Sequence, residues 1–292
     1  MPRVAFLTLD DRSAYVIDDD LAIAELRTRG WTVEEIPWRR RDVRWRDWDG
    51  VVIRTPWDYQ KDPVAFLDTI AAIAATGVPI ANPVDVVRWN LRKTYLRDLE
   101  RRGIPIVPTR WGTGLDARGI AALGDAFGAE FIVKPVVSAN ADDTFRLPAR
   151  PDDATVATLV RTFADRDWMA QPFVPAVLAE GEFSVFHFGG RYSHAILKTP
   201  AAGDFRVQEE HGGIITAVVP EPALLRAAER VLATLDDTLL QARTDLVRMP
   251  DGDFALMELE LIEPSLYFRM HPRAPGNFAA ALEAWLGVRT PA

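Results

Sequence analysis

The residues Phe254–Ile262 read as a strand, and a strand turns i and i+2 to one face, so Glu258 and Glu260 project the same way. The turn signal Pro250-Asp251-Gly252-Asp253 makes Ala242–Met249 the hairpin partner. A turn on Asp251-Gly252 pairs Pro250 with Asp253 and sets Asp245 opposite Glu258, about 5 Å apart at Cβ. Three carboxylates on one face repel unless a cation lies between them. Oxygen-only ligands suit a hard ion such as magnesium, and manganese accepts the same set. The alternative is a solvated acidic face. Phe254, Leu256 and Ile262 count against it, since simple alternation puts them on that face.

The lysines are the second signal. Of 34 basic residues only four are Lys: Lys61, Lys93, Lys134 and Lys198. A chain this rich in arginine keeps lysine where a compact ammonium is needed, as at a phosphate oxygen in a tight site; drift is the alternative. Lys93 falls in a helix expected over 84–102. Lys134 ends an apolar strand before Pro135, Lys198 ends a strand before Thr199-Pro200, and Lys61 falls in an exposed loop. Arg206 lies in the polar loop FRVQEEHGG, where a guanidinium would neutralise a transferred phosphoryl group. Arg54 closes a strand and Asp58 follows it in TPWDY. Open α/β sheets bind ligands beyond such strand ends, so this segment is a candidate for substrate recognition, with packing of Trp57 on the next domain as the alternative. His187 and His194 have no companions at metal-ligand spacing. The run Arg39–Asp49 holds five arginines, but three aspartates interrupt it, which reads as a self-paired surface rather than a nucleic-acid patch.

Positioning these groups requires two kinds of architecture. Residues 1–85 alternate strands (Val4–Leu9, Trp31–Ile36, Val51–Arg54) with helices (Asp18–Arg29, Val64–Ala75), the pattern of a doubly wound parallel sheet. Thereafter the pattern changes. A strand at Ala129–Val133, a helix at Asp152–Phe163, hairpins around Gly189-Gly190 and Asp251-Gly252, and helices at Pro222–Leu235 and Asn277–Trp285 suggest α+β; 115–125 and 139–152 read as weakly structured.

Composition bounds the rest. The 292 residues carry a net charge of −8, which opposes binding to nucleic acid or an anionic membrane. The absence of cysteine excludes thiolate catalysis and disulfides, and with no apolar run long enough to span a bilayer, a cytoplasmic protein is expected. An assembly of several copies is compatible with the sequence.

The order Asn90…Lys93, Ile132-Val133-Lys134-Pro135, Ala170-Gln171-Pro172-Phe173-Val174, then Asp245 with Glu258-Leu259-Glu260, resembles the ATP-grasp superfamily, in its glutathione-synthetase and RimK-like branch. The resemblance implies an ATP-grasp fold, mixed α/β and α+β, divided as an N-terminal α/β domain at 1–85, a small lid subdomain at 86–170 and a C-terminal subdomain with the metal site at 171–292. It implies that Lys93 and Lys134 hold ATP phosphates, with Lys198 and Arg206 as catalytic groups. Gln171, Phe173 and Val174 would meet adenine, Glu182 the ribose, and Asp245, Glu258 and Glu260 magnesium. The reaction implied is ADP-forming ligation through an acyl phosphate on a small-molecule carboxylate. WNLRKTYL, KPVVSANADDTFR and GDFRVQEEHGG are similar to the subgroup of antibiotic biosynthesis that closes O-ureido-D-serine into D-cycloserine. An intermolecular amino-acid ligase and a non-catalytic ATP-binding sensor are the alternatives. Two departures stand out: the loop after Lys134 (Val136–Ala141) contains no glycine, leaving Ser138 and small residues to cover phosphate, and the third metal position, often Asn in the wider family, is Glu260.

Overall fold

The computed structural model describes residues 1–236 and 239–287. Strands β1 (Arg3–Thr8), β2 (Thr32–Pro37), β3 (Gly50–Thr55) and β4 (Ile80–Ala81) form a parallel sheet in the order β2-β1-β3-β4, with α1 (Asp19–Thr28) and α2 (Pro63–Ala75) as crossovers. Asp62 caps α2 by accepting the Ala65 amide, and Pro63 occupies the first turn, where its missing N–H costs nothing. Phe66, Ile70 and Ile73 of α2 cover one face of the sheet, against Leu7 and Ile53.

The single helix expected over 84–102 is two helices, α3 (Val84–Asn90) and α4 (Tyr95–Arg101). The break has a tertiary cause: the Lys93 amide leaves the helix to donate to the Val136 carbonyl at 2.9 Å. A second unit follows with β5 (Arg110–Thr113), α5 (Ala117–Phe127), β6 (Glu130–Pro135), β7 (Phe145–Pro148), α6 (Asp153–Thr162) and β8 (Asp167–Pro172). Its antiparallel sheet runs β5-β8-β6-β7. Residues 115–125 are therefore not weakly structured. Asp116 caps α5 through the Gly119 amide at 2.7 Å, and Ile120 and Leu123 pack on Phe131 and Val133. Within 139–152, β7 pairs with β6. The boundary expected at 170/171 falls inside β8.

The third unit comprises α7 (Ala176–Ala179), β9 (Glu182–Phe188), β10 (Arg191–Thr199), β11 (Ile214–Val218), α8 (Pro222–Leu232), β12 (Gln241–Arg248), β13 (Phe254–Glu260) and α9 (Ala274–Leu286). Its sheet order is β11-β10-β9-β12-β13. The β9–β10 turn needs positive φ at both central residues, met by Gly189 at 55° and Gly190 at 73°.

In the β12–β13 hairpin, Asp245 does lie opposite Glu258, by a route different from the one expected. Arg248 pairs with Phe254, so the loop is one residue out of the assumed register, and a bulge at Met257, opposite the step from Asp245 to Leu246, restores it. The bulge also reverses the alternation. Phe254 and Leu256 pack in the same cluster as Leu259 and Leu261, on the face opposite Glu258 and Glu260, which contradicts the shared face inferred above.

β13 is an edge strand whose outer backbone is engaged at Leu256, Leu259 and Leu261. Leu256 pairs with Pro105 and Val107, Tyr95 Oη accepts the Leu259 amide at 2.9 Å, and Asn90 bridges the Leu259 carbonyl and the Leu261 amide at 2.8 and 2.9 Å. Helix α9 turns back onto the first sheet, placing Phe278 and Leu282 with Phe6, Val52 and Leu26, while Arg29 pairs with Glu283 at 2.9 Å.

Candidate active site

The β5-β8-β6-β7 sheet, the third unit and the loops of the first sheet enclose a cavity. It is lined by Lys93, Lys134, Ser138, Gln171, Phe173, Val174, Glu182, Lys198, Arg206, Asp245, Glu258 and Glu260. Arg54 and Asp58 are not among its lining. Arg54 is 1% exposed and commits four of its five N–H donors, to Asp19 at 2.9 and 3.1 Å, to Gln241 Oε1 at 2.8 Å and to the Pro264 carbonyl at 3.2 Å, away from the cavity. Asp58 accepts from the Trp38 indole and from Arg39. Both are structural ties, and the substrate-anchoring expected of them does not fit.

At the centre, Asp245, Glu258 and Glu260 offer oxygens within 4.8 Å of one another. Asp245 accepts from Ser184 Oγ at 2.5 Å, from Arg243 at 2.9–3.2 Å, and lies 3.3 Å from Lys198 Nζ. Burial works to raise its carboxyl, but Arg243 and Lys198 outweigh that and hold it down at about 2. Glu258 pairs with Lys93, Glu260 with Arg243, and Glu182 with Lys198 at 2.5 Å. The Glu260 carboxyl is pushed up to about 8, first by burial and then by Glu258, Asp245 and Glu263, with Arg243 opposing. The acids thus outnumber the local cations in effect, and a divalent ion fits this donor set.

Lys134 has no ion-pair partner among the described residues; burial lowers its pKa, and Lys93 adds to the effect while Glu258 opposes it. A compact, uncompensated ammonium on a cavity wall suits an anion. Beyond it, Ile132, Phe173, Val174 and Val177 make an apolar end. The Val174 amide, in a residue only 6% exposed, has no hydrogen-bond partner among the described residues, whereas the Phe173 amide is committed to the Glu130 carbonyl. The loop after β6 reaches the cavity without glycine by holding Asn140, Ala141 and Asp143 at φ of 50°, 57° and 51°. His211 Nε2 meets the Asn140 carbonyl at 3.1 Å, joining that loop to the one carrying Arg206, whose guanidinium is paired to Asp204.

Arg243, Tyr15, Glu263 and Tyr267 line the cavity and escaped the sequence reading, whereas Trp57 and Tyr59 of the TPWDY segment line it as a candidate recognition segment should. Arg243 had a signal, since it precedes Asp245 by two on one strand. Trp57 does pack across the domains, its indole donating to the Glu263 carbonyl at 2.8 Å.

Fold and site define an ATP-dependent carbon–nitrogen ligase of the ATP-grasp class. A family model described as the N-terminal domain of D-cycloserine synthetase DcsG matches residues 4–82. The cycloserine biosynthesis protein DcsG of Streptomyces lavendulae is 33% identical, over 93% of this chain and 95% of the relative. The chain belongs to the DcsG family of the ATP-grasp superfamily. The crystal structure of D-cycloserine synthetase DcsG is similar at 30% identity and TM-score 0.85, covering 97% of this chain and 99% of that one. A D-alanine–D-alanine ligase from Bacillus anthracis complexed with ATP shares the fold at 15% identity and TM-score 0.68, covering 99% and 97%.

Proposed function

We propose that this chain closes O-ureido-D-serine into D-cycloserine, using ATP to activate the substrate carboxylate. The observation that carries the reading is similarity to DcsG along 93% of the chain, joined to a cavity that presents an unpaired lysine beside three clustered acids. Adenine would lie on Ile132, Phe173 and Val177, with the Val174 amide and Gln171 at its edge. Glu182 would take the ribose, and Lys93, Lys134 and Ser138 the phosphates. Asp245, Glu258 and Glu260 would hold magnesium, or manganese in its place. The ion would supply charge neutralisation for the triphosphate and the departing phosphoryl group.

The carboxylate oxygen attacks the γ-phosphorus and ADP leaves, giving an acyl phosphate. The substrate's own oxy-bearing nitrogen then attacks the acyl carbon and phosphate departs. Lys198 and Arg206 would offset the negative charge that grows at these centres. Both reacting groups belong to one molecule, so closure needs no second acceptor site. D-cycloserine lacks the carbamoyl group of its precursor, so the balanced reaction takes up one water and releases that group as carbon dioxide and ammonia. Its use of ATP supports a cytoplasmic enzyme.

The test incubates the enzyme with ATP, magnesium and O-ureido-D-serine alone. ADP, phosphate, ammonia and D-cycloserine should appear in equal amounts. ADP release only after a separate amine is added would make the enzyme an intermolecular ligase. ATP binding with no turnover on any carboxylate would make it a sensor.

A further inference from the structure

Among the cavity-lining acids that are not exposed, one stands outside the ion pairs of the described residues. Glu182, Asp245, Glu258 and Glu260 each have a lysine or arginine partner, and Glu209 has Arg269. Glu263 lines the same cavity and has no ion-pair partner among the described residues. It is held firmly: its carbonyl accepts the Trp57 indole at 2.8 Å, and the Tyr59 hydroxyl faces its carboxylate. Trp57 packs edge-on to Tyr15, ring centroids 5.2 Å apart, so three aromatic side chains wall this corner. A part-buried carboxylate beside aromatic rings is a receptor for an organic cation.

We infer that Glu263 binds the α-ammonium of the substrate and thereby restricts the enzyme to α-amino acids, an assignment that rests on the ligase reading above. In an α-amino acid the nitrogen lies roughly 2.5 Å from the carboxylate carbon. Whatever holds the ammonium must therefore adjoin the groups that receive the carboxylate. Glu263 opens on the cavity that also holds Lys93, Lys198 and Arg243, so an amino acid anchored there keeps its carboxylate among cations. Lys134 lines the same cavity, likewise outside the ion pairs of the described residues, and is the counterpart on the nucleotide side. The amine is also the feature that separates an amino acid from an ordinary carboxylic acid, so this contact sets substrate class.

The experiment compares O-ureido-D-serine with 3-(ureidooxy)propanoate, the same molecule without the amine, in the parent enzyme and in Glu263→Gln. The glutamine keeps the shape and a hydrogen bond to Tyr59 but removes the charge. Loss of one charge-assisted contact should raise KM about 30-fold. The parent should show that ratio between the two compounds, and Glu263→Gln should erase it. ATP affinity by calorimetry should be unchanged in Glu263→Gln, which reports that the nucleotide half is intact. A variant that still prefers the amine as strongly as the parent overturns the assignment, as does one that loses kcat with KM unchanged. If O-ureido-D-serine is inert while another α-amino acid drives ADP release, the cyclisation reading falls and Glu263 is judged on that amino acid and its amine-free analogue. ADP release only with amine-free carboxylates, or with no carboxylate at all, overturns the Glu263 assignment.

Discussion

Lys134 and Glu260 owe their properties to what surrounds them. Lys134→Arg keeps the charge but forces a planar fork into a buried site shaped for a point charge, so ATP should bind at least tenfold more weakly by calorimetry. Lys61→Arg, on the surface in a short 3-10 turn, should change nothing. The three acids should likewise separate. Glu260→Gln removes a carboxyl already raised to about 8, so the metal-free variant should melt close to the parent, while magnesium should no longer stabilise it. Glu258→Gln strands Lys93, and the metal-free protein should lose about 2 kcal/mol in urea melts. If both variants melt alike without metal, the ion pairs described here are not formed in solution.

Elements show how much of this site could be read in advance. Strand periodicity put Asp245, Glu258 and Glu260 together, and lysine scarcity singled out three cavity residues. What alternation could not supply was the bulge at Met257, because an extra residue in one strand leaves no mark in a hydrophobic pattern. Nor could it show that Asn90 and Tyr95 serve the backbone of β13, since partners 164 to 171 residues away are invisible to local reasoning. Arg54 misled for a related reason: its place at a strand end was right, but Asp19 and Gln241 had taken its donors. The loop after β6 gives a prediction of its own. Ala141 holds a left-handed φ of 57°, so Ala141→Gly should stabilise the protein by about 0.5–1 kcal/mol in urea titrations. Its larger freedom should appear as weaker ATP binding. An unchanged or lower stability would show that the loop is not held in this conformation.

At the scale of the whole molecule, pH acts through two buried histidines. Burial holds His187 and His194 at about 4, against an ordinary 6.5, and neither ring nitrogen of His187 has a partner among the described residues. The unfolded chain therefore binds more protons between those values. The histidines' contribution is complete above about pH 6.5 and is lost as pH falls toward 4. Glu260 and Glu263, whose carboxyls are pushed up to about 8 and about 7 by burial, act in the opposite direction over the same range, so the histidine part is read as a difference: between pH 7.5 and 5.5 the parent should lose about 1.3 kcal/mol relative to His187→Leu in urea midpoints. The largest structural dependence is the return of α9 to the first sheet, where Phe278 and Leu282 close over Val4, Phe6 and Val52. On the ribosome β1 emerges first, but its cover, which begins at Ala274, follows only after roughly 15–50 s of elongation. Throughout translation that face has only Ala22, Ile23 and Leu26 of α1 over it, and its second cover is missing until α9 arrives.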